Sequence, residues 1–188
     1  LYFQPQAKHL VYNRDADGDE AFQMYLYDIE KRSSTIFTDG KSRSTEPVWS
    51  NSGELIVYSS SPPGGNGVSL HLVNPFDPKP NRLLVPSAGN YFKAYDWSPD
   101  DRQIAYCEFI ANTVSKLWMI DVKTGEKQLL SPDKRKDGEY YDSPQFSQDV
   151  VDFEPLGALL VQRCLAVLFQ RIIFPLPPVL HFHPAGFD

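Results

Sequence analysis

The sequence predicts an all-β fold assembled from repeated four-stranded units, and three observations predict it. A unit of about 48 residues recurs, with Trp49 and Trp97 standing 48 apart and Tyr58 and Tyr106 likewise. Sixteen prolines in 188 residues oppose a mainly helical chain, because proline removes a helix hydrogen bond and clashes with the preceding turn. Ten Tyr, twelve Phe and three Trp suit pleated sheets, whose faces pack flat rings against branched side chains.

The units follow in order. The first opens at Phe3 and continues through His9-Leu10-Val11-Tyr12, with Phe3 placed 46 before Trp49. The second and third are the clearest pair: Pro47-Val48-Trp49-Ser50-Asn51-Ser52-Gly53 through Tyr58, against Tyr95-Asp96-Trp97-Ser98-Pro99-Asp100-Asp101 through Tyr106. A fourth opens at Pro144-Gln145-Phe146-Ser147, with Phe146 placed 49 after Trp97. The second half of each unit repeats as Tyr25-Leu26-Tyr27-Asp28, Leu70-His71-Leu72-Val73-Asn74 and Leu117-Trp118-Met119-Ile120-Asp121, so that Asp28, Asn74 and Asp121 are 46 and 47 apart.

Within a unit, a first strand ends at the aromatic residue and a tight turn follows, Asn51-Ser52-Gly53 or Pro99-Asp100-Asp101. Gly, Asn and Asp tolerate the left-handed backbone such turns require. Ile56/Tyr58 and Ile104/Tyr106 then alternate as a second strand that puts both residues on one face. The Leu-x-x-Asp segments form the third strand. A polar turn, with Gly125 supplying a positive φ in one copy, leads to a fourth: Thr35-Ile36-Phe37, Arg82-Leu83-Leu84 or Lys127-Gln128-Leu129. Four strands in 40–50 residues is the signature of a β-propeller blade. The expected architecture is therefore a partial propeller over residues 3–149, three blades and the start of a fourth, with repeats starting near 3, 49, 97 and 146. Trp49, Trp97 and Phe146 read as blade-core packing, since a ligand cage would not recur with the fold period. Asp28 and Asp121 read as caps of the strand-to-turn transition.

Composition excludes several functions. A net charge of −6 leaves no overall electrostatic footprint for nucleic acid, and the basic run Lys134-Arg135-Lys136 is bracketed by Asp133 and Asp137. Cys107 and Cys164 make no disulfide framework, and no Cys/His spacing suggests zinc. No Asn-x-Ser/Thr acceptor occurs. Together with the lack of a signal-peptide pattern, this leans slightly towards the cytoplasm. The chain begins without methionine, which reads as a piece of something longer, and Leu1-Tyr2-Phe3-Gln4 also resembles the end of a protease-cleavage tag.

The string Trp97-Ser98-Pro99-Asp100 through Ile104-Ala105-Tyr106, followed by Leu117-Trp118, Asp121 and Gly125-Glu126, resembles the repeats of TolB-like proteins. It is still more similar to the N-terminal propeller of prolyl oligopeptidase and dipeptidyl peptidase IV-like serine hydrolases, as are His9–Glu20 with Gln23-Met24-Tyr25, and Asn74–Lys79 with Arg82-Leu83-Leu84. That resemblance covers residues 3–149. It implies a non-catalytic propeller that restricts access of peptide substrates to an α/β-hydrolase domain following it in sequence. Such a domain carries a Gly-x-Ser-x-Gly elbow, and no such string occurs here. The expectation is no catalytic, metal or cofactor-binding residue and no cofactor. His9, His71, His181 and His183 have no elbow serine to serve, although triads are defined by geometry and not by order.

Asp15-Ala16-Asp17-Gly18-Asp19-Glu20 fails as an EF-hand loop, because the sixth and twelfth positions hold Glu20 and Leu26. A solvated hairpin loop and a looser calcium site both fit it. Gly64-Gly65-Asn66-Gly67 lacks the Lys-Ser/Thr of a phosphate loop. From about Val150 the repeat register is lost, and residues 150–188 read as a non-family apolar tail, irregular or helical. A reading-frame change or alternative splicing would produce such a break. Gln162, Arg163, Gln170 and Arg171 interrupt Leu156–Phe174 short of a membrane span, which leaves a surface or partner helix open. Phe174-Pro175-Leu176-Pro177-Pro178 would end one.

Three functions follow. The chain is a fragment of a serine peptidase propeller, inactive alone, whose partners are peptide substrate and the hydrolase domain. Alternatively it is a TolB-like binding scaffold, or an independent interaction module whose apolar tail closes the ring between copies in a homo-oligomer.

Overall fold

The computed structural model describes residues 1–16, 18–131, 141–147 and, for the backbone alone, 167–171. Three four-stranded antiparallel sheets follow one another, each in simple meander order. Blade 1 comprises β1 (Tyr2–Phe3), β2 (His9–Arg14), β3 (Gln23–Asp28) and β4 (Ser33–Ile36). Blade 2 comprises β5 (Arg43–Trp49), β6 (Ile56–Ser61), β7 (Ser69–Asn74) and β8 (Asp77–Val85). Blade 3 comprises β9 (Tyr91–Trp97), β10 (Gln103–Ala111), β11 (Val114–Asp121) and β12 (Lys127–Leu129). A two-stranded sheet follows, β13 (Tyr141–Phe146) with β14 (Val167–Arg171).

The repeat register carries the packing. One face of blade 2 presents Trp49, Ile56, Tyr58 and Val73 to Val11, Met24, Leu26 and Phe37 of blade 1. The equivalent face of blade 3 presents Trp97, Ile104, Tyr106 and Ile120 to Val57, Leu70, Leu72 and Leu84 of blade 2. The aromatic that closes each first strand is buried, with exposures of 9% for Trp49, 2% for Trp97 and 5% for Phe146. Phe3, which packs on no other blade among the described residues, is 60% exposed. The two indoles have a second duty that their recurrence alone does not reveal. Trp49 Nε1 donates to Tyr2 O at 3.2 Å, and Trp97 Nε1 donates to Val48 O at 3.1 Å, so the indole bonds the preceding blade's first strand at equivalent positions. Phe146 has no such donor. Its backbone N–H instead reaches the Asp96 carboxylate at 2.7 Å, and Asp96 holds the position of Val48 and Tyr2.

The turn after each first strand is conserved in geometry while its residues change. Ala7, Gly53 and Asp101 stand at equivalent positions and all have positive φ, 56°, 70° and 55°. Their amides donate to Gln4 O, Ser50 O and Ser98 O at 2.8, 2.9 and 2.9 Å. Asp28, Asn74 and Asp121 cap the next turn: Asp28 Oδ1 accepts from Lys31 N at 2.9 Å, Asn74 Oδ1 from Phe76 N at 2.9 Å, and Asp121 Oδ1 from Lys123 N and Thr124 N at 2.9 and 2.7 Å. Gly125 has φ 74°. A stacked pair not read from the sequence also recurs between the second and third strands: Tyr12 with Tyr25, Tyr58 with His71, and Tyr106 with Trp118.

The expectation of an irregular or helical tail is corrected over one stretch. Val167–Arg171 is a strand, antiparallel to β13, with Tyr141 opposite Arg171 and Phe146 opposite Val167. A first strand without its neighbour presents a row of unpaired backbone groups, and a Val-Leu-Phe segment has the propensity to pair with it. The rest of residues 150–188 lies outside the described residues, as does the run Lys134-Arg135-Lys136.

Candidate functional site

First strands of successive blades lie beside one another, β1 by β5, β5 by β9 and β9 by β13, while β4, β8 and β12 form the outer rim. The surface shared by the first strands is thus where residues of different blades meet. Three of these strands carry a bulge at the same place, which bends the strand and re-aims its side chains. The register shifts between Thr45 and Val48, around Tyr95, and between Asp142 and Gln145. Pro47 and Pro144 sit in two of these bulges, where a missing backbone donor is tolerated. Glu46 and Ser143 adopt positive φ beside them, 57° and 50°.

The bulges gather a polar network. Lys93 Nζ lies 2.9 Å from Glu46 Oε1. Tyr91 Oη donates to Glu46 Oε2 at 3.0 Å, and Ser59 Oγ stands 3.4 Å from the same oxygen. The Lys93 ammonium lies 4.9 Å from the centre of the Tyr95 ring, whose hydroxyl donates to Asp142 Oδ1. A chain of alternating charge and phenol therefore links β5, β9 and β13. Glu46 and Lys93 are both about a third exposed, so the pair contributes ~0–1 kcal/mol and serves chiefly to hold a hydrogen-bonding surface in place. Behind it, Glu108 accepts from Asn90 Nδ2 and from Trp118 Nε1, each at 2.9 Å.

Loops at the opposite end of the strands lace blade to blade. Asn51 N and Ser52 N donate to the Asp101 carboxylate at 2.7 and 2.8 Å. Gln4 Nε2 and Gln6 Nε2 donate to Gly53 O and Ser52 O at 2.9 and 2.7 Å. Burial raises the Asp101 carboxyl, but the hydrogen bonds from Ser52 and Asn51 outweigh it and hold it below the usual range. Asp96 is shifted the other way: burial raises it, and the amides of Phe146 and Trp97 only partly offset that.

The residues weighed in the sequence fall as follows. His9 pairs with Gln4 Oε1 at 3.0 Å through Nδ1 and with Asp28 at 3.7 Å through Nε2, where β2 and β3 of blade 1 meet. His71 stacks on Tyr58 and meets Asn81 Oδ1 at 3.3 Å, and burial lowers its basicity. The two histidines therefore belong to separate blades and serve packing. His181, His183 and Cys164 lie outside the described residues. Cys107 is buried, and burial first, then the Asp142 charge, pushes its thiol up to about 12, which removes it as a nucleophile at neutral pH. In the acidic run, Asp19 Oδ1 caps Ala21 N at 3.0 Å, and Asp17 lies outside the described residues. Among the described residues no three His, Cys, Asp or Glu side chains come together as metal ligands. Gly67 belongs to an interblade contact: Val68 N donates to Asn90 O at 2.8 Å, and a Cβ on Gly67 would stand 2.5 Å from that oxygen. The network around Glu46 was missed in the sequence. Its only signal was the recurrence of proline two residues before the ring, at Pro47 and Pro144.

No family model matches the chain, and no curated protein matches it in sequence. Solved structures do. A putative TolB from Agrobacterium tumefaciens is 22% identical with a TM-score of 0.55, over 69% of this chain and 47% of that one. TolB from Acinetobacter baumannii is 15% identical with a TM-score of 0.59, over 78% and 34%. A puromycin hydrolase mutant complexed with PGG is 12% identical with a TM-score of 0.58, over 78% and 23%. The chain thus spans less than half the length of each. These likenesses show the class of fold: it is β-propeller-like, of the kind seen in those structures.

Proposed function

We propose that this chain is part of the non-catalytic propeller of a prolyl oligopeptidase-like serine hydrolase, where it controls passage of peptides to a hydrolase domain and is inactive alone. The observation that carries the reading is the polar network of Glu46, Tyr91, Lys93, Tyr95 and Asp142. It lines the surface shared by the first strands, where a polypeptide passing along the blades' inner edge would find donors and acceptors. The likeness to the puromycin hydrolase supports the same reading. A second reading, a TolB-like binding scaffold, is favoured by a fit to TolB of equal quality.

One experiment separates them. The full-length transcript is sequenced, and its product and the 188-residue chain are treated with a fluorophosphonate probe of serine hydrolases. The first reading expects an in-frame Gly-x-Ser-x-Gly segment downstream and labelling of the long product alone. A stop soon after the last blade, with no labelling, overturns it in favour of the scaffold. We further propose that residues 150–188 are not part of the blade repeat and arise from a change of frame or splicing. The same transcript removes that idea if it carries these codons in the frame of the blades.

A further inference from the structure

The connection between β6 and β7 carries a chemistry that the fold does not use. Of the seven asparagines, Asn66 alone precedes a glycine. Residues 62–66 are exposed, and among the described residues no acceptor meets the Gly67 amide. Gly67 has a φ of +94°, and a Cβ there would stand 2.5 Å from Asn90 O and 2.8 Å from Gly89 C. The packing of blade 2 on blade 3 thus demands glycine at 67. Glycine is also the residue that leaves the preceding side chain an unhindered path to the next amide nitrogen.

The other pairs able to close the same ring are tied down. At Asn51-Ser52, Ser52 N donates to Asp101 Oδ2 at 2.8 Å, and Asn51 Nδ2 donates to Ser98 O and Asp101 Oδ1 at 2.9 and 2.8 Å. At Asp39-Gly40, Gly40 N donates to Gln23 Oε1 at 2.9 Å, and Asp39 Oδ2 accepts from Ser42 Oγ at 2.6 Å. Asn74 precedes proline, which has no amide proton to lose. An amide nitrogen engaged in a hydrogen bond, or a side chain fixed away from it, reacts only after the structure opens locally. Neither restraint acts on Asn66-Gly67 among the described residues.

We propose that Asn66 is a site of spontaneous deamidation, and that its isoaspartyl product opens the seam between blades 2 and 3. The Gly67 nitrogen, its proton taken by hydroxide, attacks Asn66 Cγ. The N–Cγ bond forms, the Cγ–Nδ2 bond breaks, and ammonia leaves. Water then opens the succinimide ring with no change of oxidation state. Attack at Cγ gives aspartate, whereas attack at the main-chain carbonyl gives isoaspartate, whose main chain runs through Cβ and Cγ and is one carbon longer. That insertion falls two residues before the bridge of the seam, where Val68 N donates to Asn90 O at 2.8 Å and Phe92 N to Val68 O at 3.1 Å. It also separates Asn66 O from Ser87 Oγ, now 3.4 Å away. Strand pairing depends on register, so a longer chain at this point displaces Val68 from its partners. The inference rests on neither reading of the chain's function.

The test incubates the 188-residue chain in H₂¹⁸O buffer at pH 8 and 37 °C, folded and in urea. Each asparagine's peptide is followed by mass spectrometry with electron-transfer fragmentation, which separates aspartate from isoaspartate. In the folded chain Asn66 should take up one ¹⁸O at least tenfold faster than Asn51, and at a rate within tenfold of its own rate in urea. A smaller difference from Asn51 overturns the proposal, and so does protection of Asn66 by more than tenfold on folding. The seam is read by hydrogen exchange at the Val68 and Phe92 amides of the ¹⁵N-labelled chain. In the isoaspartyl form both should exchange at least tenfold faster than in the fresh chain. Fresh Asn66→Asp, which adds the charge without lengthening the main chain, and aged Asn66→Gln should keep the parent's exchange. Aspartate as the sole product, a smaller change in the isoaspartyl form, or faster exchange in Asn66→Asp overturns the opening by chain insertion. Faster exchange in aged Asn66→Gln overturns its assignment to Asn66.

Discussion

The indole of Trp97 supports a direct measurement of what joins one blade to the next. Trp97→Phe keeps a ring in the site and removes the donor that reaches Val48 O at 3.1 Å. The hydrogen bond contributes about 0.5–1.5 kcal/mol. Trimming the indole of a side chain only 2% exposed leaves a void of a few tens of Å³, which at ~24 cal/mol per Å³ adds about 1 kcal/mol. The expected loss is therefore about 1.5–2.5 kcal/mol, or roughly 3–10 °C in Tm for a chain of this size. Urea unfolding followed by tryptophan fluorescence and circular dichroism reads it as a lower midpoint at unchanged slope. Trp49→Phe is the internal control. Its bond is longer, 3.2 Å, and its ring less buried, so its loss should be smaller. A Trp97→Phe protein within 0.5 kcal/mol of the parent, or a larger loss for Trp49→Phe, would refute the assignment of the indole as the interblade tie.

Three further outcomes follow from the same geometry. Asp101 is held below the usual carboxylate range, so its contribution is present above the unfolded-state value and is lost as pH falls through the folded one; Asp96 is raised, so its contribution is full below the unfolded-state value and is lost as pH rises through the folded one. Relative to the parent, Asp101→Asn should thus flatten the acid limb of a stability–pH curve, and Asp96→Asn should gain stability from acid towards neutral pH; opposite slopes would contradict the assigned shifts. Gly67→Ala meets Asn90 O at 2.5 Å with φ +94° and should lower stability by about 1–3 kcal/mol, whereas Gly64→Ala enters open space and loses only the strain of its φ of +64°, a difference visible by thermal melting. Cys107, with its thiol raised to about 12, should stay unalkylated by iodoacetamide at pH 8 in the folded chain and react in urea, as read by mass spectrometry of its own peptide.

What the sequence disclosed was whatever recurs. Trp49 and Trp97 mark the end of a first strand because every blade buries a ring there, and Asp28, Asn74 and Asp121 mark a turn because each must cap the same backbone amides. Where recurrence is in backbone geometry alone, the residues hide it. Ala7, Gly53 and Asp101 share a left-handed conformation, yet Ala7 offers no sign of it, since the turn is imposed by the strands on either side. The strand at Val167–Arg171 was equally hidden, because pairing to β13 is decided by a long-range edge and not by local pattern.

The network around Glu46 was illegible for the opposite reason. Thr45, Lys93 and Asp142 occupy equivalent places in three blades and are polar, cationic and anionic in turn. A repeat search averages such positions away, although a surface that recognises anything must break the repeat. The fold and the site thus obey contrary rules within one strand: the buried alternation of β5, β9 and β13 preserves the blade, and the residues on the other side of the same pleat vary from blade to blade. The bulge lets both hold, because it turns the strand between its buried aromatic end and its polar beginning. Pro47 and Pro144, placed where a ladder donor is not needed, are the trace that this division leaves in the sequence.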